Sequence, residues 1–443
     1  MKLFILIIIT NFIWAQSSKE STITVYKDGT ALVKQEIIWD AISKGKTNLK
    51  YGDIPKSIHK DTPFISIKNA QVLSQKFVEK TFSSDEYFLS KKGDIITIKL
   101  KNEKAISGIL LELTNKILTI QVKNSLRSFN RNDIEYIETG DVVSNPNFSP
   151  YLSWEVKNNK TGNLKANLVY KLSNISWDAI YRLTTNGQTK GELVVEGVIS
   201  NNSSKNYINT NVNLVEGKIN KVKSINNNNH GKMEMSRSLP NKNTPDALGD
   251  YHIYSAGKIK NFTAKENLTV GIYGPLNVNY EKNYVFENFE RQQKEEPLKV
   301  EYTLSNTEKD GLGIVLPAGK VDIYTSSSKG GFEYIGSDRL GQVPKGESST
   351  IQAGYAFDIT GKRRVLNYDR QRKSEEAVIE VSINNTWSET ASVKIVEHVN
   401  GDWVIKDQSR DYIKKDASTI YFLIDVKPGK KEFITYTYRK EWK

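Results

Sequence analysis

The chain contains no cysteine in its 443 residues. Disulfide bonds, zinc sites with thiolate ligands, thiol nucleophiles and a lipid-modified cysteine are therefore excluded. Histidine is scarce, and no two histidines have the spacing that places a pair of metal ligands on one helix face. The four histidines are His59, His230, His252 and His398. Aspartate and glutamate show no calcium-loop spacing, so the sequence predicts no metal site and no cofactor.

A phosphate-binding loop is also missing. Such a loop needs a glycine five residues before the glycine of its Gly-Lys pair and a hydroxyl residue after the lysine. The pair Gly319–Lys320 has Ile314 upstream and Val321 after it, and the run Gly45–Thr47 has Asp40 upstream. No serine lies in a Gly-x-Ser-x-Gly pattern. Both Gly-Lys pairs are predicted to be turns between strands.

Long apolar runs are absent except at the amino terminus. Lys2 precedes the almost unbroken apolar run Leu3–Trp14, and Ala15 offers a small residue for cleavage. This layout predicts a secretory signal peptide over residues 1–15, although a buried N-terminal helix is the other interpretation. No later stretch reaches the roughly 18 apolar residues of a membrane span. We therefore expect an exported protein without a transmembrane span, which is periplasmic, on the outer surface or secreted in a bacterium.

Positive charge exceeds negative charge, with a formal net charge of +12. Most of the excess is diffuse, but one dense run stands out in the last quarter of the chain. Its members are Lys362, Arg363, Arg364, Arg370, Arg372 and Lys373. One interpretation is a solvated loop between strands. The other is a ligand-binding surface for an anionic envelope glycan or protein partner, whereas nucleic acid is not expected because the protein is exported.

Alternation of apolar and polar residues dominates the chain after the apolar run. Ile96, Ile98 and Leu100 share one face of a predicted strand, and similar patterns recur to the carboxyl end. Turn residues such as Asp28-Gly29 separate the apolar stretches. The sequence therefore predicts an all-β fold.

Three segments follow the predicted signal peptide. Residues 16–90 form a β-rich N-terminal domain, and residues 91–140 pack several short strands into a small SH3-like or Sm-like barrel insert. Residues 147–443 form a β-sandwich-type C-terminal domain. A polar stretch at about 218–248 is predicted to be a flexible loop inside that domain.

Three aspartates beside aromatic or glycine residues offer the only catalytic pattern. Asp178, Asp338 and Asp358 lie in the stretches WDAIY, IGSD and YAFD. Glycosidases use two carboxyl groups at a fixed separation, and an aromatic wall raises the pKa of a general acid. The other interpretation is that these side chains cap turns or bind strand-end amides.

The third segment resembles the C-terminal domain of unknown function of mucoidy-inhibitor-like proteins. Trp177, Tyr181, Gly191, Asn201 and Leu214–Gly217 carry the resemblance, with the later stretches LPAGKVDIYT and GDWVIKDQSR. The stretch ITVYKDGTALVKQEI is similar to the family's N-terminal domain. That family commonly has a coiled coil between its domains, where this chain has the predicted barrel. The resemblance implies a secreted or envelope-associated, mostly β protein and no particular activity.

Together these features predict an exported, envelope-associated, non-catalytic binding or scaffolding protein. The alternative is a glycan hydrolase that uses two of the three aspartates. A third hypothesis is that the small barrel binds a peptide or polymer by itself. The ligand and the oligomeric state are left open by the sequence.

Overall fold

The computed structural model describes residues 13–79, 81–101, 103–141, 143, 146–187, 189–217, 247–248, 251–327 and 330–442. The fold is all-β and sandwich-type, with 69% strand and 3% helix, as the alternating pattern predicts. Most of the predicted signal peptide and of the predicted loop at about 218–248 lies outside the described residues. No helix among the described residues is long and apolar enough to cross a membrane.

Six strands precede the insert, the first of them at the end of the predicted signal peptide. They are β1 (Ile13–Trp14), β2 (Gln16–Tyr26), β3 (Thr30–Ile42), β4 (Gly45–Tyr51), β5 (Phe64–Ile67) and β6 (Ala70–Val78). The predicted turn between the second and third strands is confirmed: Gly29 has a φ of +83°, and the Asp28 carboxylate accepts a 3.1 Å hydrogen bond from the Thr30 amide. Glycine suits this position because side chains disfavour the left-handed region.

The insert consists of five antiparallel strands, and one short helix just before residue 91 packs against them. These elements are α1 (Ser84–Leu89), β7 (Ile95–Leu100), β8 (Ile106–Leu113), β9 (Ile117–Val122), β10 (Ser125–Asn130) and β11 (Ile134–Thr139), with a 3₁₀ turn at Arg131–Asp133. The strand order is β10-β9-β8-β7-β11. The insert has a hydrophobic cluster of its own, against which Phe88 of α1 packs. A Cβ at Gly108 would lie 2.7 Å from the Gln121 carbonyl oxygen, which explains the glycine in β8.

The third segment contributes the remaining strands. They begin with β12 (Tyr151–Asn158), β13 (Gly162–Ser173), β14 (Ile175–Asn186), β15 (Lys190–Asn201), β16 (Tyr207–Glu216), β17 (Ala247–Leu248), β18 (Tyr251–Phe262), β19 (Glu266–Phe289) and β20 (Lys294–Ser305). After a 3₁₀ turn at Glu308–Asp310 come β21 (Gly319–Ser326), β22 (Phe332–Leu340), β23 (Ser348–Arg370), β24 (Ser374–Asn385), β25 (Ala391–His398), β26 (Trp403–Lys406), β27 (Ile413–Lys414), β28 (Thr419–Val426) and β29 (Lys430–Glu441).

Strands from the first and third segments complete each other's sheets. One sheet has the order β1-β4-β12-β6, and another has the order β17-β18-β16-β2-β3-β13-β5. The largest hydrophobic cluster lies between these strands and the first part of the 13-stranded sheet. Trp39 and Trp154, one from each segment, meet edge to face there with their ring centroids 5.8 Å apart. The two segments therefore share one core.

A separate cluster occupies the carboxyl-terminal half. The 13-stranded sheet runs β22-β21-β14-β15-β19-β20-β23-β24-β29-β26, and β25, β27 and β28 lie off this path. The long strands β19 and β23 extend across it: the first half of β19 pairs with β15, and the second half pairs with β20 and β25. The second cluster lies beneath the later halves of these strands. The candidate site lies beside it.

Candidate functional site

The basic run lies on β23 and its hairpin with β24, where opposite charges accompany several of its members. The Lys362 ammonium lies 2.7 Å from a Glu295 carboxylate oxygen. The Arg364 guanidinium donates hydrogen bonds to Glu380, one of them 3.1 Å long. These two residues are therefore neutralised within the chain.

Arg363 is not on the surface. Its side chain is 0% exposed, and its Nε lies 3.0 Å from a Glu397 carboxylate oxygen that is also buried. The Tyr436 hydroxyl donates a 2.6 Å hydrogen bond to the same carboxylate, and the Asn288 amide donates one of 2.9 Å. Successive residues of a strand point to opposite faces, so Arg363 points into the second core between two exposed cations. The prediction that it belongs to a ligand-binding surface is corrected here.

The other three cations lie at the hairpin end beside acidic side chains. Arg370 lies 5.9 Å from the centroid of the Trp442 ring. The Trp442 indole and backbone amides donate 3.1 Å hydrogen bonds to the carbonyl oxygens of Arg372 and Lys373. The neighbouring cleft is also lined by Glu290, Glu375, Asp402 and Glu441. The hairpin end therefore has mixed charge.

The three candidate aspartates lie in three different settings. Both carboxylate oxygens of Asp338 accept 2.7 Å hydrogen bonds from backbone amides, those of Arg339 and Gln352. Asp178 lines a cleft with Lys320 and Arg339, whereas Asp358 lines an aromatic cleft elsewhere. Asp178 and Asp358 therefore line different clefts, and Asp338 lines neither of them.

Asp178 instead lies near a glutamate that sequence reasoning missed. The Lys27 ammonium lies 2.8 Å from Glu216 and 3.9 Å from Asp178. The two carboxylate oxygens are therefore at most about 6.7 Å apart, the sum of those two distances. Glu216 is only 5% exposed, and it accepts hydrogen bonds from the Gln342 side chain and the Ala318 amide. Its contacts are those of a residue that ties strands together.

The stretch LPAGK, which includes Gly319–Lys320, belongs to this same cluster and does not form a phosphate-binding loop. The Lys27 ammonium donates to the Ala318 carbonyl oxygen, and the Tyr181 hydroxyl donates a 2.5 Å hydrogen bond to the Pro317 carbonyl oxygen. A Cβ at Gly319 would lie 2.3 Å from the Ala179 carbonyl oxygen. Glycine is needed here because β21 lies close against β14.

A partly open apolar cleft lies where β19, β20, β22 and β23 meet. It has a volume of about 260 Å³. Six of its lining residues define its chemistry: Lys282, Tyr284, Tyr355, Phe357, Asp358 and Trp387. We refer to it as the aromatic cleft. Tyr284 and Trp387 form its wall, with their ring centroids 6.2 Å apart in an edge-to-face arrangement.

A bulge in β23 presents two more aromatic side chains at this cleft. Tyr355 pairs with Lys299 and Thr360 pairs with Pro297, so the four residues Ala356–Ile359 stand opposite one residue of β20. The bulged strand is anchored where the Thr386 amide donates a 2.8 Å hydrogen bond to the Asp358 carbonyl oxygen. Phe357 is 91% exposed and Tyr355 is 62% exposed. Bulges of this kind redirect side chains and are frequent next to binding sites.

Lys282 supplies the cationic group of the aromatic cleft. Its ammonium lies 5.0 Å from the centroid of the Trp387 ring and 5.3 Å from that of Tyr284. Burial lowers the pKa of Lys282 below its ordinary value, and the Glu389 carboxylate acts in the opposite direction. Asp358, another lining residue, is exposed and supplies hydrogen-bond acceptors. The cleft thus combines aromatic faces with one cation and one carboxylate.

No protein-family model and no curated protein matches this chain. The resemblance to mucoidy-inhibitor-like proteins stays a prediction. Among the described residues, no group of three or more His, Asp or Glu side chains is placed to hold a metal ion. The function is therefore inferred from the geometry of the aromatic cleft.

Of the aromatic cleft, sequence reasoning named only Asp358 in the stretch YAFD. The aromatic residues of that stretch gave a usable signal, because Tyr355 and Phe357 alternate with small residues. No local signal marked Lys282 or Trp387, which come from β19 and from the loop between β24 and β25. They meet only because the strands pair.

Proposed function

We propose that this chain is an exported, envelope-associated protein that binds a saccharide in the aromatic cleft without catalysis. The observation that carries the proposal is the exposure of Phe357 and Tyr355 beside an apolar cleft, where a strand bulge holds them. Exposing large aromatic side chains to water is unfavourable unless a partner covers them. Aromatic rings stack well on the C–H face of a sugar, and Asp358 can accept hydrogen bonds from its hydroxyl groups.

The volume of the aromatic cleft fits a single sugar ring better than a large ligand. Its volume of about 260 Å³ is slightly below the range of roughly 300–1,000 Å³ that is common for drug-sized ligands. Its flanking aromatic residues face solvent, so neighbouring units of an oligosaccharide can extend outward. Binding at the end or along the surface of an envelope glycan is compatible with this shape.

The binding test uses the full chain, a panel of neutral and acidic oligosaccharides, and titration calorimetry. We expect Phe357→Ala and Tyr355→Ala each to weaken binding by about two- to tenfold, which is the worth of one aromatic contact at about 0.5–1.5 kcal/mol. Phe64→Ala is the matched control, because Phe64 is 66% exposed on β5 and outside the cleft. Absence of saccharide binding, or equal loss in the control, would contradict the proposal.

Export is supported by the predicted signal peptide over residues 1–15. Cleavage after Ala15 would remove Trp14, which lies in β1 and meets Tyr151 edge to face at 5.7 Å between centroids. Trp14 is half-exposed and does not belong to the first hydrophobic cluster, so the cluster's buried residues remain without it. N-terminal sequencing of the cell-fractionated protein should find Gln16 first, whereas an intact Met1 on cytosolic material would contradict export.

A glycan hydrolase is the alternative, and the proximity of Asp178 and Glu216 is the observation that favours it. Their separation of at most about 6.7 Å falls near the distances of roughly 5–9.5 Å used by glycosidases. The test is release of reducing ends from envelope polysaccharides by the wild type, Asp178→Asn and Glu216→Gln. Turnover that disappears in both variants while they remain folded would replace the binding proposal with this one.

A further inference from the structure

Lys282 is a partly buried cation that no ion pair joins to a carboxylate among the described residues. It lines the aromatic cleft with Tyr284 and Trp387. Two of the lysines that lie over aromatic rings have ion-pair partners: Lys27 over Trp177 is paired with Glu216, and Lys205 over Tyr207 with Asp53. Lys394, Lys414 and Lys431 also lie over rings without an ion pair to a described carboxylate, and Lys282 differs from these three because it lines the aromatic cleft.

Removing an ammonium from water is unfavourable unless another group replaces the lost hydration. The rings of Tyr284 and Trp387 replace part of it through their negative faces. Two carboxylates bear on this region: Asp358 lines the cleft, and the charge of Glu389 in the loop between β24 and β25 raises the pKa of Lys282 against the effect of burial. An anionic group bound in the cleft would complete the environment of the ammonium.

The position of this cation relative to the aromatic side chains restricts the ligand. A ligand whose apolar face covers Tyr355 or Phe357 while one edge carries a carboxylate can satisfy the rings and Lys282 together. A hexuronic acid has this chemistry, since it differs from a neutral hexose by a carboxylate in place of the terminal hydroxymethyl group. The Asp358 carboxylate would repel the carboxylate of the sugar, so the acidic edge lies toward Lys282 and away from Asp358. Asp358 then accepts hydrogen bonds from the hydroxyl groups of the sugar.

We propose that Lys282 makes the aromatic cleft selective for acidic sugars of the hexuronic class over neutral hexoses. This inference rests on the proposed saccharide binding and adds the substrate class and the residue that determines it. The attraction is between one ammonium and one carboxylate in a partly desolvated cleft, where such a contact is stronger than on an open surface.

The experiment compares three probes of equal length on the full chain by calorimetry. They are an oligogalacturonate, its methyl ester, which keeps the shape and removes the charge, and a neutral galacto-oligosaccharide. We expect the wild type to bind the acid at least tenfold more tightly than either neutral probe. Lys282→Met, which retains most of the apolar stem, should bring this ratio close to one. Lys282→Arg should keep the preference.

Lys414→Met is the matched control, because Lys414 also lies over a tryptophan, 4.5 Å from the centroid of the Trp403 ring, and is outside the cleft. It should leave the ratio unchanged. Equal affinity of the wild type for charged and uncharged probes, or a ratio unchanged by Lys282→Met, would overturn the inference while leaving saccharide binding intact. Failure of all three probes and of every neutral sugar would instead overturn the proposed function, and the inference with it.

Discussion

Replacing Arg363 by methionine should destabilise the second core far more than replacing its neighbour. Arg363 and Glu397 are both fully buried, so Arg363→Met leaves a carboxylate without its cation in the protein interior. Removing one member of such a pair costs about 3–5 kcal/mol. Arg364→Met is the matched control: Arg364 is 51% exposed and pairs with Glu380 at the surface, where a pair contributes about 0–1 kcal/mol.

The double variant Arg363→Met with Glu397→Leu separates the cost of an orphaned charge from the value of the ion pair. Replacing both charges by apolar side chains of similar size is often neutral. Here the Tyr436 hydroxyl and the Asn288 amide would lose the carboxylate that accepts their hydrogen bonds. The Asn288 amide also donates to the Phe286 carbonyl oxygen, so the Tyr436 hydroxyl is the group left unsatisfied, at a cost of about 1–3 kcal/mol. We therefore expect the double variant to lie between the wild type and Arg363→Met.

Amide hydrogen exchange measures these differences locally. The chain has separate hydrophobic clusters, so a single free energy of unfolding is not well defined for the whole molecule. Protection should fall in β24 and β29, which pair over the second core, and should stay unchanged in β3 of the first core. Equal effects of Arg363→Met and Arg364→Met, or a double variant less stable than Arg363→Met, would show that the buried charge does not have the cost assigned to it.

Two further predictions concern the insert and the effect of acid. Replacing residues 83–146 by a short glycine-serine linker should preserve the β-strand content of the remaining chain, measured by circular dichroism, and its saccharide binding, measured by calorimetry. The two ends of the deleted stretch are close together, because the Phe82 amide donates a hydrogen bond to the Asn147 carbonyl oxygen, and the insert has a hydrophobic cluster of its own. Loss of binding with the remaining sheets intact would favour the hypothesis that the barrel itself captures a ligand. The second prediction is that Glu287→Gln makes the second core less stable at neutral pH but not in acid. Hydrogen bonds from Lys299, and secondly from His398, lower the pKa of Glu287 below its usual 4.5. The ionised Glu287 carboxylate therefore stabilises the folded state above about pH 4.5, and this stabilisation is lost as the pH falls through the folded-state pKa. The Glu287 side chain is 35% exposed, so the variant should be less stable than the wild type by at most about 1 kcal/mol at neutral pH. A difference in amide exchange rates between the two proteins that persists unchanged at low pH would contradict this assignment.

Local patterns predicted the fold class and the turn at Asp28-Gly29 correctly, whereas Gly45–Lys46 and Gly319–Lys320 begin strands in place of the predicted turns. Alternation in stretches such as Ile96 to Leu100 identifies strands, because period two places one face on a core. The hairpin at Asp28-Gly29 follows from turn chemistry that acts within a few residues. Pro428-Gly429 also marks a turn, but β28 and β29 on its two sides are not paired with each other. A turn signal reports where a strand ends and does not identify its partner.

Side-chain alternation and turn propensity act over neighbouring residues, so the amino-acid sequence was sufficient to predict that this chain folds into β-sheets. The burial of Arg363 beside an exposed Arg364 became visible only in the folded chain, because the pattern of a strand does not say which face meets a core when both faces carry charge. Folding also brings Lys282, Phe357 and Trp387 to one cleft from distant parts of the sequence. Strand pairing over long separations depends on the packing of the whole sheet, and no local pattern encodes it.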